Sequence, residues 1–328
     1  MSVIICARNE AEHLRNNLPS VLQQQYAGEW ELVVVNDNSS DETVELLDAF
    51  AATNNHLKVI HLTQKLHNGK KHALASGIQS ARFDHVVVTD ADCVPASRHW
   101  LARMAGCFDS KETEIVLGYG PLRNLNAGFW AGWSQFEAAF TALTYITSAQ
   151  CGVPYMGVGR NLAFKKSVFE AQSGFEAHWQ YRSGDDDLLV NAAANRCNTL
   201  VCLDAESFVF STGAGNFKTW FKQKRRHLEA GVAYKPIHQV LLTLHAVSFP
   251  LFIVCGLLLF WERGGGLLLC CCFAVRYGAF SIAYSFGMKK LKEPISPLRI
   301  LGYDCLLSLY FGVFVPLLLL IRKTPNWK

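Results

Sequence analysis

Asp90 and Asp92 stand one residue apart directly after the apolar run at 85–89 of this 328-residue chain, a placement that could hold a metal ion although the Asp-x-Asp spacing alone is a weak signal. Carboxylates at i and i+2 that follow a strand leave the sheet together and can approach one point, and oxygen donors of this kind suit Mg²⁺ or Mn²⁺. A cation there would neutralise the charge that builds on a diphosphate leaving group. A second acidic group, Asp185, Asp186 and Asp187, follows Ser183 and Gly184 and precedes an apolar helical stretch. Adjacent acids raise one another's pKa, which is the setting for a carboxylate that takes a proton from a hydroxyl; solvated charge at a helix N-terminus is the plainer alternative. Asn68, Gly69, Lys70 and Lys71 precede a helical run at 72–81, so backbone N–H groups and an ammonium can meet phosphate at a helix start, with a solvated terminus again the alternative. Gln223, Lys224, Arg225, Arg226 and His227 lie beside Trp220 and Phe221 in an amphipathic stretch of the kind that sits at lipid headgroups.

These groups need a frame. Apolar runs at 2–6, 31–35, 57–62, 85–89 and 114–118 alternate with helical patterns at 10–25 and 42–52, the signature of βαβ units. Runs so continuously apolar are covered on both faces, as in a parallel sheet. Ser39 followed by Glu42 is expected to cap the second helix. Asn36 and Asp37 end the second run, Asp90 and Asp92 follow the fourth, and Arg8, Asn9 and Glu10 follow the first. All three groups fall at the carboxyl end of one sheet, where open α/β folds bind ligands. Residues 120–180 are rich in glycine and aromatic residues and read as mixed α and β.

The net charge of +4 conceals two unlike regions: residues 1–205 carry −6 and residues 206–328 carry +10. Long apolar runs separate the basic residues, which argues for a membrane surface and against a nucleic-acid partner. Residues 240–261 have no formal charge, 264–287 have only Arg276 and 300–321 only Asp304, each close to the ~20 residues that span a bilayer. The expected organisation is a head at 1–217, a basic interfacial segment at 218–237 and a membrane domain at 238–328 with three transmembrane helices. Charges inside lipid are costly, so Arg276 and Asp304 are expected to pair. Lys289, Lys290, Lys292 and Arg299, with the segment at 218–235, place the head in the cytosol by the positive-inside rule. The eleven cysteines are irregularly spaced and read as small hydrophobes in a reducing compartment, and no signal peptide is expected ahead of the first strand.

The order of motifs, Ser-Val-Ile-Ile-Cys-Ala-Arg-Asn-Glu, Val-Val-Asn-Asp-Asn-Ser-Ser-Asp, Asn-Gly-Lys, Thr-Asp-Ala-Asp, Gly-Asp-Asp-Asp-Leu and Gln-x-x-Arg, resembles the membrane-bound family 2 glycosyltransferases of GT-A fold, which include cellulose, chitin and hyaluronan synthases. The resemblance covers residues 1 to about 235. It implies a Rossmann-like nucleotide-sugar-binding domain with a mainly parallel sheet, followed by C-terminal transmembrane helices. It further implies that Ala7, Glu10 and Asp37 hold the base and ribose, that Lys70 lies near the diphosphate, that Asp90 contacts the nucleotide and that Asp92 holds Mg²⁺ or Mn²⁺. The loop from Gly157 through Gly159 to Asn161 falls on the acceptor side, with Asp187, Gln223 and Arg226 on the acceptor or diphosphate side. The family's base aligns best with Asp185, with Asp186 its rival. His227 replaces the tryptophan of the synthases' Gln-x-x-Arg-Trp, which weakens the case for processive polymerisation. Members usually carry a hydrophobic segment before the first strand, whereas this sequence opens on the strand. The resulting expectation is an inverting transfer from a UDP-sugar to a lipid or membrane-proximal glycan by a multi-pass protein of the inner or plasma membrane. The alternatives are a processive polysaccharide synthase and a catalytically silent nucleotide-sugar-binding protein.

Overall fold

The computed structural model describes residues 1–64, 69–123, 128–263, 266–293 and 295–320; Asn68, residues 264 and 265 of the second expected span and Ile321 of the third lie outside them. The chain forms two compact units, Met1–Tyr234 and Lys235–Lys328.

In the first unit the strands are β1 (Ser2–Ala7), β2 (Glu31–Asp37), β3 (Leu57–Leu62), β4 (His85–Asp90), β5 (Val94–Pro95), β6 (Ile115–Gly118), β7 (Leu122–Arg123), β8 (Leu162–Lys165), β9 (Thr199–Cys202) and β10 (Val209–Thr212). Its helices are α1 (Ala11–Leu22), α2 (Thr43–Thr53), α3 (Lys71–Ser80), α4 (Trp100–Gly106), α5 (Phe129–Gln150), α6 (Lys166–Ala171), α7 (Asp187–Ala193) and α8 (Phe217–Gly231). Seven strands make the main sheet in the order β3-β2-β1-β4-β8-β6-β9. It is parallel except at β8, which runs antiparallel to both β4 and β6. A small second sheet joins β5, β10 and β7.

Strand alternation decides what reaches the functional rim. Val3, Ile5 and Ala7 of β1 share a core with Leu14, Leu18 and Val21 of α1, Leu47 of α2 and Trp100, Leu101 and Met104 of α4. Ile4 points the other way, against α3, where a Cβ at Gly77 would lie 2.7 Å from Ile4 Cγ2. Cys6 therefore faces the α3 side too, and its register partner on β4 is Asp90. A one-residue slip of β1 and β4 would turn Asp90 into the core and Val3 and Ile5 out of it, so burial of the valine-rich strands fixes the acid on the α3 side.

The expected cap of α2 needed correction. The capping pair at α2 does not form: Ser39 Oγ accepts from Asn9 N–H and the Glu42 carboxylate pairs with Arg15 at 3.0 Å. Asp41 takes over, accepting from the N–H groups of Thr43 at 3.1 Å and Ala11 at 3.2 Å, so one side chain serves the starts of two helices. The stretch at 120–180 is mixed α and β as expected, and it contains the 22-residue helix α5, buried around much of its circumference by Trp133, Phe136, Ala139, Phe140, Tyr145 and Ile146; such a helix lacks a clean apolar stripe, which is why its period is ambiguous.

Helix α8 packs on α5 through a buried polar contact. Lys224 Nζ lies 2.5 Å from Glu137 Oε1, and Trp220 Nε1 donates to Glu137 Oε2 at 3.3 Å. Asn216 caps the helix, accepting from Thr219 N–H at 3.0 Å.

The second unit holds α9 (Pro236–Arg263), α10 (Gly266–Lys290), α11 (Pro297–Leu309), a π-helical turn (Tyr310–Phe314) and α12 (Val315–Leu320). The π turn has a local cause, since Pro316 has no N–H to give the carbonyl of Gly312 and its ring would clash there in an α-helix. Three stretches, Pro236–Trp261, Gly266–Lys290 and Pro297–Leu318, are long and apolar enough to cross a membrane. Arg276 and Asp304 meet as expected in a two-pronged contact, Nη1 with Oδ2 and Nη2 with Oδ1 at 2.8 Å. The Arg276 guanidinium lies 5.0 Å from the Phe252 ring centroid and 5.4 Å from that of Phe249. Removing one member of a buried pair strands the other charge, at a cost of about 3–5 kcal/mol, whereas an apolar replacement of both is far milder. Unfolding of the full chain in detergent is therefore expected to show a large loss for Arg276→Leu and recovery in Arg276→Leu/Asp304→Leu; equal losses would contradict the pairing.

Candidate active site

Lys70 is the hub. It follows Gly69 and immediately precedes α3, and its Nζ lies 2.5 Å from Asp90 Oδ1 and 3.6 Å from Asp185 Oδ2. Burial alone would lower the lysine's pKa, yet the two acids raise it well above the usual range, so the ammonium stays charged. Burial would likewise raise Asp90, but Lys70 outweighs it and holds that carboxyl below its ordinary value, helped by Arg160 and Arg226. The side chains of Lys70 and Asp90 remain 26% and 34% exposed, which leaves room for a polar ligand to reach them.

Asp92 is oriented by the small sheet. Ser211 of β10 donates its hydroxyl to Asp92 Oδ2 at 3.0 Å. Ligand atoms of Asp90, Asp92 and Cys93 all lie within 4.8 Å of one another. Two carboxylate oxygens this close fit a hard divalent cation. The Cys93 thiol is the poorer ligand, because burial first and then the neighbouring acids push its pKa well up.

The three consecutive acids have three different surroundings. Asp186 Oδ2 accepts from Gly159 N–H at 2.5 Å, and Asp186 Oδ1 accepts from Asp187 N–H at 2.8 Å. Asp187 Oδ2 accepts from the Tyr234 hydroxyl at 2.7 Å, and Asp187 Oδ1 from Leu188 N–H at 2.9 Å. Burial first, then the adjacent like charges, raise both Asp186 and Asp187 above the ordinary carboxylate range. Asp185 has no hydrogen bond among the described residues, and Lys70 is its ion partner.

The remaining expected residues divide. Ala7 is buried at the end of β1, paired in register with Asn36, and Asp37 ends β2 beside it. Glu10 sits at the start of α1, with Oε2 2.6 Å from His13 Nδ1. Arg226 is exposed on α8 and acts electrostatically on Asp90, while Gln223, one turn earlier, makes no hydrogen bond among the described residues. Gly159 joins the site through its N–H, but Asn161 does not. The Asn161 side chain is fully buried: Oδ1 accepts from Trp100 Nε1 at 3.0 Å, and Nδ2 donates to the carbonyls of Tyr119 at 2.9 Å and Ser207 at 2.8 Å. Gly118 makes room for it, since a Cβ there would lie 2.4 Å from the Asn161 amide. The amide thus braces the end of β6, α4 and the 207 turn, so the Asn161 side chain is spent on internal hydrogen bonds and does not face an acceptor. Sequence reasoning did not reach Ser211 or Tyr234; a serine in a four-residue strand and a tyrosine after a helix carry no local signal, and each acts only through the tertiary fold.

The sequence profile of the family Glycosyl transferase family 2 matches residues 2–172. The poly-β-1,6-N-acetyl-D-glucosamine synthase of Staphylococcus epidermidis is 36% identical over 94 residues, which make up 29% of this chain and 22% of that protein. The probable glycosyltransferase YdaM of Bacillus subtilis is 24% identical over 237 residues, covering 69% of this chain and 54% of its own length. The matches thus span less than a quarter of the first relative and about half of the second. Among solved structures, the mannosyltransferase PcManGT of Pyrobaculum calidifontis in complex with GDP-Man and Mn²⁺ superposes with a TM-score of 0.59 at 18% identity, over 97% of this chain and 83% of that one. Residues 1–349 of Staphylococcus aureus TarS in complex with UDP-GlcNAc give a TM-score of 0.51 at 14% identity, over 100% and 93%. The folds agree: a mostly parallel sheet of GT-A type, with three long apolar helices at the C-terminal end of this chain.

Proposed function

The chain belongs to glycosyl transferase family 2, and we propose that it is an inverting glycosyltransferase, moving a sugar from a nucleoside diphosphate, UDP in the first instance, to a hydroxyl of a lipid or membrane-proximal glycan. The observation that carries this reading is the position of Lys70 between Asp90 and Asp185, which supports an anchor for diphosphate beside a carboxylate that makes no hydrogen bond among the described residues. Asp185 takes the proton of the acceptor hydroxyl, whose oxygen bonds to the anomeric carbon. The bond from that carbon to the diphosphate breaks, and its electron pair leaves with the diphosphate against Lys70. Ala7, Glu10 and Asp37 receive the base and ribose at the ends of β1 and β2. Asp92, with Asp90, would hold Mg²⁺ or Mn²⁺, and the cation would supply charge neutralisation on the leaving group. Gly159 N–H and Asp187 shape the acceptor side, and Gln223 and Arg226 cover the diphosphate from α8.

The three apolar helices support a multi-pass protein of the inner or plasma membrane, and the basic residues Lys289, Lys290, Lys292 and Arg299 support a cytosolic head. A processive synthase is the second reading, favoured by the likeness to the poly-β-1,6-N-acetyl-D-glucosamine synthase over 94 residues. Mass analysis of the product separates one added sugar from a chain. The donor is tested by thermal shift of the full chain against nucleoside diphosphates and their sugars with Mn²⁺. Ligand at about 100 times its Kd adds about 2.7 kcal/mol to the folded state, so one base is expected to raise the melting temperature selectively. A flat response across the panel would remove the donor assignment.

A further inference from the structure

Lys71 is only 1% exposed, a rare placement for an ammonium. Its Nζ donates to three backbone carbonyls, those of His178 at 2.7 Å, Tyr181 at 2.9 Å and Ser183 at 2.7 Å. The three protons of an ammonium diverge, and here each meets one carbonyl of a single loop. Gly69 locks the same loop from the other side. Its φ is +92°, and a Cβ there would lie 2.4 Å from the Arg182 carbonyl oxygen, so only glycine permits the approach. Two residues past the last caged carbonyl stands Asp185, 3.6 Å from the ammonium of Lys70. Three consecutive residues, 69 to 71, therefore carry the cation of one subsite and grip the segment that delivers the acid of the other.

We propose that Lys71 is a positioning residue, a latch that fixes the 178–183 loop to the start of α3 and so holds Asp185 in line with whatever is bound at Lys70. The assignment rests on the reading of Asp185 as the base. Structural bracing alone is the competing account, and it differs in what it leaves unchanged: a brace lost lowers stability while folded molecules turn over normally, whereas a latch lost lowers turnover in molecules that are folded and still bind nucleotide.

The test uses the full chain in detergent, with Lys71→Met and Lys71→Arg compared for kcat, KM, affinity for UDP with Mn²⁺, and amide hydrogen exchange. Misplacing a reacting group by about 1 Å costs up to about 10²-fold, so Lys71→Met is expected to lose about tenfold or more in kcat, with UDP affinity held within about threefold. Exchange is expected to quicken in the 178–185 segment and to stay unchanged in β1 and β4. Lys71→Arg is expected not to rescue, because a planar guanidinium cannot point three protons at three diverging carbonyls. Unchanged kcat and loop exchange in Lys71→Met would overturn the latch, as would a loss of UDP affinity matching the loss of kcat. If Lys71→Met does not fold, Lys71→Gln, which keeps an amide donor, is read by the same criteria. A wild-type chain that transfers no sugar would overturn the transferase reading and the latch with it, whereas unchanged kcat in Lys71→Met beside an active wild-type chain would overturn the latch alone.

Discussion

Asp185→Asn is expected to lower transfer by roughly 10²- to 10⁴-fold while leaving nucleoside diphosphate affinity nearly unchanged, the signature of losing a general base. The expectation discriminates among three neighbours that sequence alone treats as equals. Asp186 spends both oxygens on backbone N–H groups, of Gly159 and of Asp187, and Asp187 is bonded by Tyr234 and Leu188. A carboxylate whose lone pairs already accept such bonds has less capacity left for a substrate proton. Burial first and then like charge raise the pKa of both, so the distinction rests on their hydrogen bonds rather than on charge. Asp185 makes no hydrogen bond among the described residues and keeps Lys70 at 3.6 Å, an ion partner beyond hydrogen-bonding distance. Asp186→Asn retains a good cap for α7 and is expected to cost ~0.5–2 kcal/mol of stability at most, with turnover reduced far less. Steady-state kinetics and calorimetric titration of the same preparations check both statements. Full turnover in Asp185→Asn beside a deep loss in Asp186→Asn would transfer the role to Asp186.

The sheet, its order of motifs and the three apolar helices were legible because each is written in a local period. Valine-rich runs such as His85–Asp90 read as buried strands, and uncharged stretches near 240–261 read as spans. The Arg276–Asp304 contact was legible for a different reason, the cost of an unpaired charge among apolar helices. What stayed hidden depends on distant partners. Asn161 lies within a Gly-rich loop and looks like a ligand-facing amide, but Trp100, Tyr119 and Ser207 take its hydrogen bonds. Lys71 looks like a second phosphate cation beside Lys70, yet it is buried under a loop more than a hundred positions away. The antiparallel β8 has no mark in composition either, since Leu162–Lys165 is as apolar as its parallel neighbours. Periodicity reports which face of an element is buried; it says nothing of which polar group across the fold meets it.

Asp92→Ala is expected to weaken binding of Mn²⁺ with a nucleoside diphosphate by more than about 100-fold, beyond the roughly 10- to 100-fold that losing an outer partner of a metal ligand typically costs. Asp90 does not substitute for it. One oxygen of Asp90 already accepts from Lys70 at 2.5 Å, a charge-assisted contact that drains its donor strength, whereas Asp92 has no cationic partner among the described residues and is aimed by the neutral Ser211 hydroxyl. Ser211→Ala removes only that aim and is expected to fall within the outer-partner range. The two variants thus order the site: a large loss for the ligand, an intermediate one for its support, and for Cys93→Ala almost none, because its neutral thiol is a poor match for Mn²⁺. Titration of Mn²⁺ into each variant with UDP present, followed by paramagnetic resonance of the free ion, gives the three affinities directly. If Asp92→Ala bound Mn²⁺ as tightly as the parent while Cys93→Ala lost it, the cation would sit deeper than the carboxylate pair, and the diphosphate would have to reach Lys70 without it.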